Sequence, residues 1–306
     1  MTLHRLSSVV IGVPNVAETA RYYTDFGLTP SGPDAFATVD GGEQLRLVHS
    51  PLRRAVEIVV GADDPDDLDR AAAGLTGLGV PVERGADRVA GVEPVTGVRV
   101  SVVVEPRIRQ PEQPATAYNG PGRLERVGGR APVLSRSGPV RPRKLGHVVV
   151  GTTDPATTER FFLEGIGFRL SDRIAGAGAF MRCSIDHHNV LALNAPVPFL
   201  HHTSWQVDDV DEIGRGASDM LAGHPERHVW GLGRHHAGSN FFWYLMDPAG
   251  NFSEYYSDMD CIVDDQLWTP ESFEGAKGLF SWGPPPPPSF VHPDDLAELM
   301  AGAHAG

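Results

Sequence analysis

Leu6-Ser7-Ser8-Val9-Val10-Ile11 and Leu145-Gly146-His147-Val148-Val149-Val150 carry one pattern twice. Each is a short apolar run rich in β-branched residues, which favours a strand. Each leads into a stretch of helical spacing, Thr19-Ala20-Arg21-Tyr22-Tyr23 after the first and Thr158-Glu159-Arg160-Phe161-Phe162 after the second. Ser8 and His147 are 139 residues apart, and so are Thr19 and Thr158. A shared offset in two kinds of element marks an internal duplication.

Working outward, each copy contains a further strand followed by a helix start: Val56-Glu57-Ile58-Val59-Val60 before Asp63-Asp64, and His202-Thr203-Ser204-Trp205-Gln206-Val207 before Asp208-Asp209. The aspartates suit an N-cap and a negatively charged first turn. Each copy is therefore two strand-helix-strands units. Residues 106–142 are rich in Pro, Gly and Arg without apolar periodicity and read as a linker. After residue 258 the pattern changes again, to a tail with Trp268, Trp282 and the run Pro284 to Pro288. Fixed φ angles favour an extended segment there, read as a strap packed on the domain rather than a motif for a proline-binding partner. The predicted division is a first domain at 1–105, a linker at 106–142, a second domain at 143–258 and a tail at 259–306.

The 306 residues, 41% hydrophobic, suffice for two ordinary domains with their own cores. A net charge of −13 opposes both nucleic-acid phosphates and anionic lipid, so neither is an expected partner. Two cysteines, Cys183 and Cys261, give no disulfide framework and no thiolate zinc cluster, which fits a reducing cytoplasm. The opening MTLHRLSSVVIGVPN lacks a signal-peptide pattern, and no run approaches the ~18 to 20 apolar residues that span a bilayer. A soluble cytoplasmic protein is expected.

The chemistry concentrates in the second copy, which holds His147, His187, His188, His201, His202, His224, His228, His235 and His236. His147 and His202 occupy equivalent first-strand positions of its two units, and Glu254 lies in a late strand after the turn Asp247-Pro248-Ala249-Gly250-Asn251. Paired units can turn equivalent strands toward one cavity. Two imidazoles and one carboxylate on a single face leave open positions on a metal, the arrangement of non-haem ferrous oxygenases. At the matching positions the first copy has Ser8, Glu57 and, aligning Pro94 with Pro248, Val100. The scaffold is thus built once without these ligands, so their presence points to function.

Leu200-His201-His202-Thr203-Ser204-Trp205-Gln206-Val207-Asp208-Asp209, Gly233-Arg234-His235 and Tyr244-Leu245-Met246-Asp247-Pro248-Ala249-Gly250-Asn251-Phe252-Ser253-Glu254-Tyr255-Tyr256 together resemble the type I extradiol catechol dioxygenases of the vicinal oxygen chelate superfamily. The resemblance covers roughly residues 4 to 258. It implies an α+β fold of two tandem domains, each of two βαβββ units forming a partly open barrel, with the first domain catalytically empty. It implies a ring-cleaving enzyme that inserts both atoms of O2 into a catechol, using Fe(II), with Mn(II) as the alternative that histidine and carboxylate ligation does not separate. His147, His202 and Glu254 are then the metal ligands, His202 being preferred to His201 because it directly precedes its strand.

Within Asp186-His187-His188-Asn189-Val190-Leu191 the resemblance makes His188 the acid-base residue, with His187 left open. His235 and Tyr244 match the remaining catalytic and substrate-binding pair. Phe180, with Phe241, Phe242 and Trp243, is expected to line an apolar pocket for an aromatic or bicyclic catechol, some of these being core. Small-molecule catechol and O2 are the expected partners, within a homo-oligomer. A glyoxalase-like isomerase or epimerase, and a metal-free binding protein of the same fold, are the alternatives.

Overall fold

The computed structural model describes residues 2–303. The first apolar run becomes β1 (Leu3–Val13), followed by α1 (Val16–Asp25), β2 (Thr29–Gly32), β3 (Ala35–Thr38) and β4 (Gly42–His49). The second unit runs β5 (Arg54–Ala62), α2 (Pro65–Gly77), β6 (Glu83–Arg84), β7 (Arg88–Val92) and β8 (Arg99–Val104). Asp64 caps α2 by accepting from the backbone N–H groups of Asp66 and Asp67, and the Asp67 side chain returns to Asp64 N. This reciprocal cap satisfies donors that the first turn leaves free.

The second copy repeats the order: β9 (Lys144–Thr152), α3 (Pro155–Arg160) continued by a π-helical turn to Ile166, β10 (Arg169–Ile174), β11 (Gly178–Arg182) and β12 (Val190–Asn194). Its last unit is β13 (Phe199–Gln206), α4 (Val210–Leu221), β14 (His228–Arg234), β15 (Phe241–Met246) and β16 (Phe252–Ser257). Asp209 caps α4 through Glu212 N. Among the described residues the first sheet is ordered β2-β3-β4-β1-β5-β8-β7-β6. The second is ordered β14-β15-β16-β13-β9-β12-β11-β10, with tail strand β17 (Ser272–Phe273) added beside β10. In each unit the first strand pairs parallel with the last, and the two first strands meet antiparallel at the centre. The end strands are not hydrogen-bonded to each other, so each sheet is a partly open barrel of two βαβββ units.

The two domains share a core. Phe26 stacks on Tyr255 with ring centroids 4.0 Å apart, and the Tyr255 hydroxyl donates to Phe26 O at 2.7 Å. Buried Gln44 donates to Leu6 O and accepts from Leu145 N at 2.8 Å, satisfying polar groups on both sides of the junction. Gly74 is needed where α2 meets the π-helical turn, since a Cβ there would lie 2.4 Å from Glu164 O.

The segment between the domains runs without strands except for one isolated bridge, Gly120 to Arg123, and a short turn of 3-10 helix at Pro132–Ser135. The tail packs on the second domain. Trp230 Nε1 donates to Pro284 O at 2.7 Å, Pro287 is extended, and Pro288 opens α5 (Pro288–Val291). A final helix, α6 (Leu296–Ala303), follows, and Asp295 just before it pairs with Arg53 at 2.6 Å.

Candidate metal centre

The inner face of the second sheet follows from its registers. His147 on β9 pairs with Ser204 on β13, Ser204 with Glu254 on β16, and Glu254 with Tyr244 on β15. Residues in one cross-strand row share a face, so His147, Glu254 and Tyr244 point the same way. His202 lies two residues before Ser204 and joins them. Its own row runs through Asp172, Phe180, Leu191, Val149, His202 and Phe252.

His147 Nε2 is 2.9 Å and His202 Nε2 3.6 Å from Glu254 Oε2, and the two imidazole atoms are 3.3 Å apart. All three residues are buried, and their ligand atoms lie within 4.8 Å of one another. Glu254 Oε1 accepts from Asn240 Nδ2 at 3.2 Å, while the buried Oε2 has no hydrogen-bond partner among the described residues. Burial opposes ionisation of Glu254, but the surrounding imidazoles of His147, His235 and His202 together outweigh it and hold the carboxyl well below the ordinary range. For His202, burial first and His201 next push the imidazole well below its usual pKa. A neutral imidazole and an unpartnered carboxylate oxygen, converging with a second imidazole, fit a divalent cation.

One sequence expectation about this site needs correction. His202 does not precede its strand; both His201 and His202 lie inside β13. The register slips between Leu200 and His202, making His201 the extra residue of a bulge, which re-aims a side chain that would otherwise point away. His201 therefore stands beside the ligand. Its Nε2 faces Phe290 O at 2.6 Å, and a carbonyl only accepts, so that nitrogen carries the proton. Burial lowers His201 to about 4, leaving it neutral with a bare Nδ1. That atom, 2.7 Å from His202 Nδ1, accepts its proton and leaves His202 Nε2 free for a metal.

The other named residues surround the triad. The His188 ring lies 4.2 Å from that of His147 and 4.9 Å from Phe180, whereas His187 turns away to Asp172 Oδ2 at 2.7 Å. His235 Nε2 is 2.9 Å from the Tyr244 hydroxyl and 3.7 Å from Glu254 Oε1. The cavity beside them, about 50 Å³, is lined by Phe180, Val149, Leu191 and Ile174.

Phe241, Phe242 and Trp243 are absent from its wall, contrary to the sequence expectation. Phe242 lies in a separate cluster under Trp230 and stacks on His235, Phe241 packs beneath Arg234, and Trp243 donates to His228. The wall is completed instead by tail residues Gly278, Leu279 and Phe290, which sequence reading did not place. Asp172 was also missed, although it shares the inner-face row with Phe180.

The first domain offers the internal comparison. There Ser8 pairs with Val59 and Val59 with Ser101, so Ser101, not Val100, stands where Glu254 does; Val100 faces the core. Glu57 holds the place of His202, as expected. Arg88 donates to Glu57 and, at 2.7 Å, to Ser101 Oγ. A guanidinium thus occupies the cationic position.

A model of the Glyoxalase/Bleomycin resistance protein/Dioxygenase superfamily matches residues 144–255. Over 302 residues the chain is 32% identical to metapyrocatechase 2 from Cupriavidus necator, covering 94% of this chain and 92% of that one. The chain belongs to the extradiol catechol dioxygenases of the vicinal oxygen chelate superfamily. This dioxygenase shares its fold with the Mn(II)-bound glyoxalase from Novosphingobium aromaticivorans, at a TM-score of 0.75 and 23% identity over 95% of both chains. It shares it equally with homoprotocatechuate 2,3-dioxygenase from Arthrobacter globiformis, at a TM-score of 0.74 and 20% identity over 95% of this chain and 91% of that one. The dioxygenase is a ring-cleaving oxidoreductase of the extradiol type. Its substrates are a small molecule and O2, and its cofactor is a divalent metal, Fe(II) or Mn(II).

Proposed function

We propose that this dioxygenase opens a catechol bearing an uncharged, apolar substituent, such as an aromatic or second ring, at the bond beside the two hydroxyls, with Fe(II) as the metal. The observation that carries the substrate class is the cavity wall: apolar side chains and histidines, with no Arg or Lys among its described residues to meet a carboxylate. His147, His202 and Glu254 would hold the metal, which would supply a shared Lewis-acidic and electron-conducting centre for the reaction.

The remaining steps belong to the chain. His188 takes the proton of a catechol hydroxyl and later returns it. Burial, then the neighbouring His147 and His187 imidazoles, hold its pKa well below the ordinary value, so it enters as the free base. Tyr244 keeps its proton, since burial raises it well above the usual phenol range, and donates to His235 Nε2. His235 Nδ1 is bound to Leu279 O, which fixes its proton there. The pair then presents the fixed Tyr244 oxygen as an acceptor for a substrate hydroxyl, and Phe180 packs against the ring.

The free volume of about 50 Å³ holds only a few waters, so a catechol enters only as the cavity wall gives way. Two unpaired cysteines support a cytoplasmic location, and no helix of the described residues is long and apolar enough to cross a membrane. The test is oxygen uptake by protein reconstituted anaerobically with ferrous iron, on catechol, 3-methylcatechol, 2,3-dihydroxybiphenyl and 3,4-dihydroxyphenylacetate. The apolar members should be preferred by kcat/KM. A preference for the carboxylated member overturns the substrate class, and no uptake on any member overturns the activity.

A further inference from the structure

Asp172 and His187 are buried beside the centre and have no task in the chemistry above. We propose that they are positioning residues: they fix His188 in the tautomer whose Nε2 is bare, and hold its ring in place. This rests on His188 being the acid-base residue.

Asp172 Oδ1 accepts from Glu271 N at 2.7 Å, and Oδ2 lies 2.7 Å from His187 Nε2. A carboxylate only accepts, so His187 carries its proton on Nε2 and leaves Nδ1 bare. His187 Nδ1 is 3.0 Å from His188 Nδ1, so His188 must donate there. Its free lone pair is then on Nε2, the nitrogen that does not face His187. His201 does the same for His202, so both doubled histidines work alike: the outer ring sets the tautomer of the inner one.

The chain is also sealed. Gly238, at φ +80°, lies directly over the contact, where a Cβ would meet His187 Nδ1 at 3.1 Å and His188 Nδ1 at 3.4 Å. Trp268 packs edge-on against His187 at 5.3 Å. When a catechol O–H breaks and its proton forms an N–H bond at His188 Nε2, the positive charge faces Asp172 through His187. The same proton leaves when it is returned, so the cycle balances without another reactant.

Asp172→Asn tests this sharply. Glu271 N–H still needs the amide oxygen, so the NH2 turns to His187 Nε2, inverting both tautomers; a corresponding Asp→Asn change in the serine-protease triad acts through the wrong tautomer. In metal-free protein, 15N imidazole shifts, assigned with His188→Gln, should show His188 protonated on Nδ1 in the wild type and on Nε2 in D172N. With iron, D172N should lose about 10²-fold or more in kcat, with KM and metal content kept.

If D172N does not fold, His187→Gln, which retains an acceptor for His188, should stay within about tenfold of wild type while His187→Phe falls about 10²-fold. A wild-type His188 protonated on Nε2, an unchanged kcat in D172N, or equal losses in both His187 variants would overturn the proposal. A wild type that cleaves no catechol but shows the Nδ1 proton supports the tautomer assignment and refutes the functional reading, which keeps the two apart.

Discussion

Arg88 donates to Glu57 in the first domain at the register position where the second domain has His202. One scaffold thus supports either a side-chain cation or a metal at the same place. Because the Arg88 side chain is 41% exposed, solvent screens the pair and its worth is modest. Arg88→Met should therefore cost about 1 kcal/mol of stability in urea unfolding and leave iron stoichiometry unchanged. A loss of iron in R88M would mean that the first domain is not the empty half.

The two adjacent histidines of β13 should separate cleanly. His202→Ala removes one of three ligands and should abolish stoichiometric iron binding, read by metal analysis after desalting. His201→Ala removes only the group that orients His202 and should weaken affinity by about 10 to 100-fold. Full stoichiometry in H202A would refute the ligand assignment.

How much of this was legible in the sequence follows from what periodicity can encode. The duplicated runs, the aspartate caps and the triad could be read because strand period and a repeated offset place residues on faces without knowledge of pairing. The Glu254 counterpart was misread by one residue, Val100 for Ser101, because the loops before the two strands differ and a one-residue slip exchanges faces. The bulge at His201 was equally hidden, since only the partner strand reveals the extra residue. Leu279 and Phe290 reach the cavity through a tail whose path depends on tertiary packing around Trp230. Asp172 belongs to no motif, and only its row with Phe180 and His202 puts it inside.

Asp247, in the turn before β16, provides a stability test independent of the metal. Its Oδ1 accepts from Ala249 N and Asn251 N, and its Oδ2 from Asn251 Nδ2. Burial nevertheless outweighs these bonds and raises its pKa from 3.8 to about 6. The folded state then binds the proton more tightly than the unfolded chain, so the stabilisation is complete below 3.8 and is lost as pH rises through 6. Relative to Asp247→Asn, wild-type unfolding free energy should gain roughly 1 kcal/mol between about pH 7.5 and about pH 5. A constant difference between the two proteins would contradict the shift.

The most direct test of the central claim, an extradiol dioxygenase built on His147, His202 and Glu254, is a turnover under 18O2 by the iron-loaded protein with its best catechol. The expected product is the yellow ring-opened semialdehyde or keto acid, cleaved beside the diol and carrying both labelled atoms. Cleavage between the two hydroxylated carbons, or a product containing only one label before exchange with water, would contradict it.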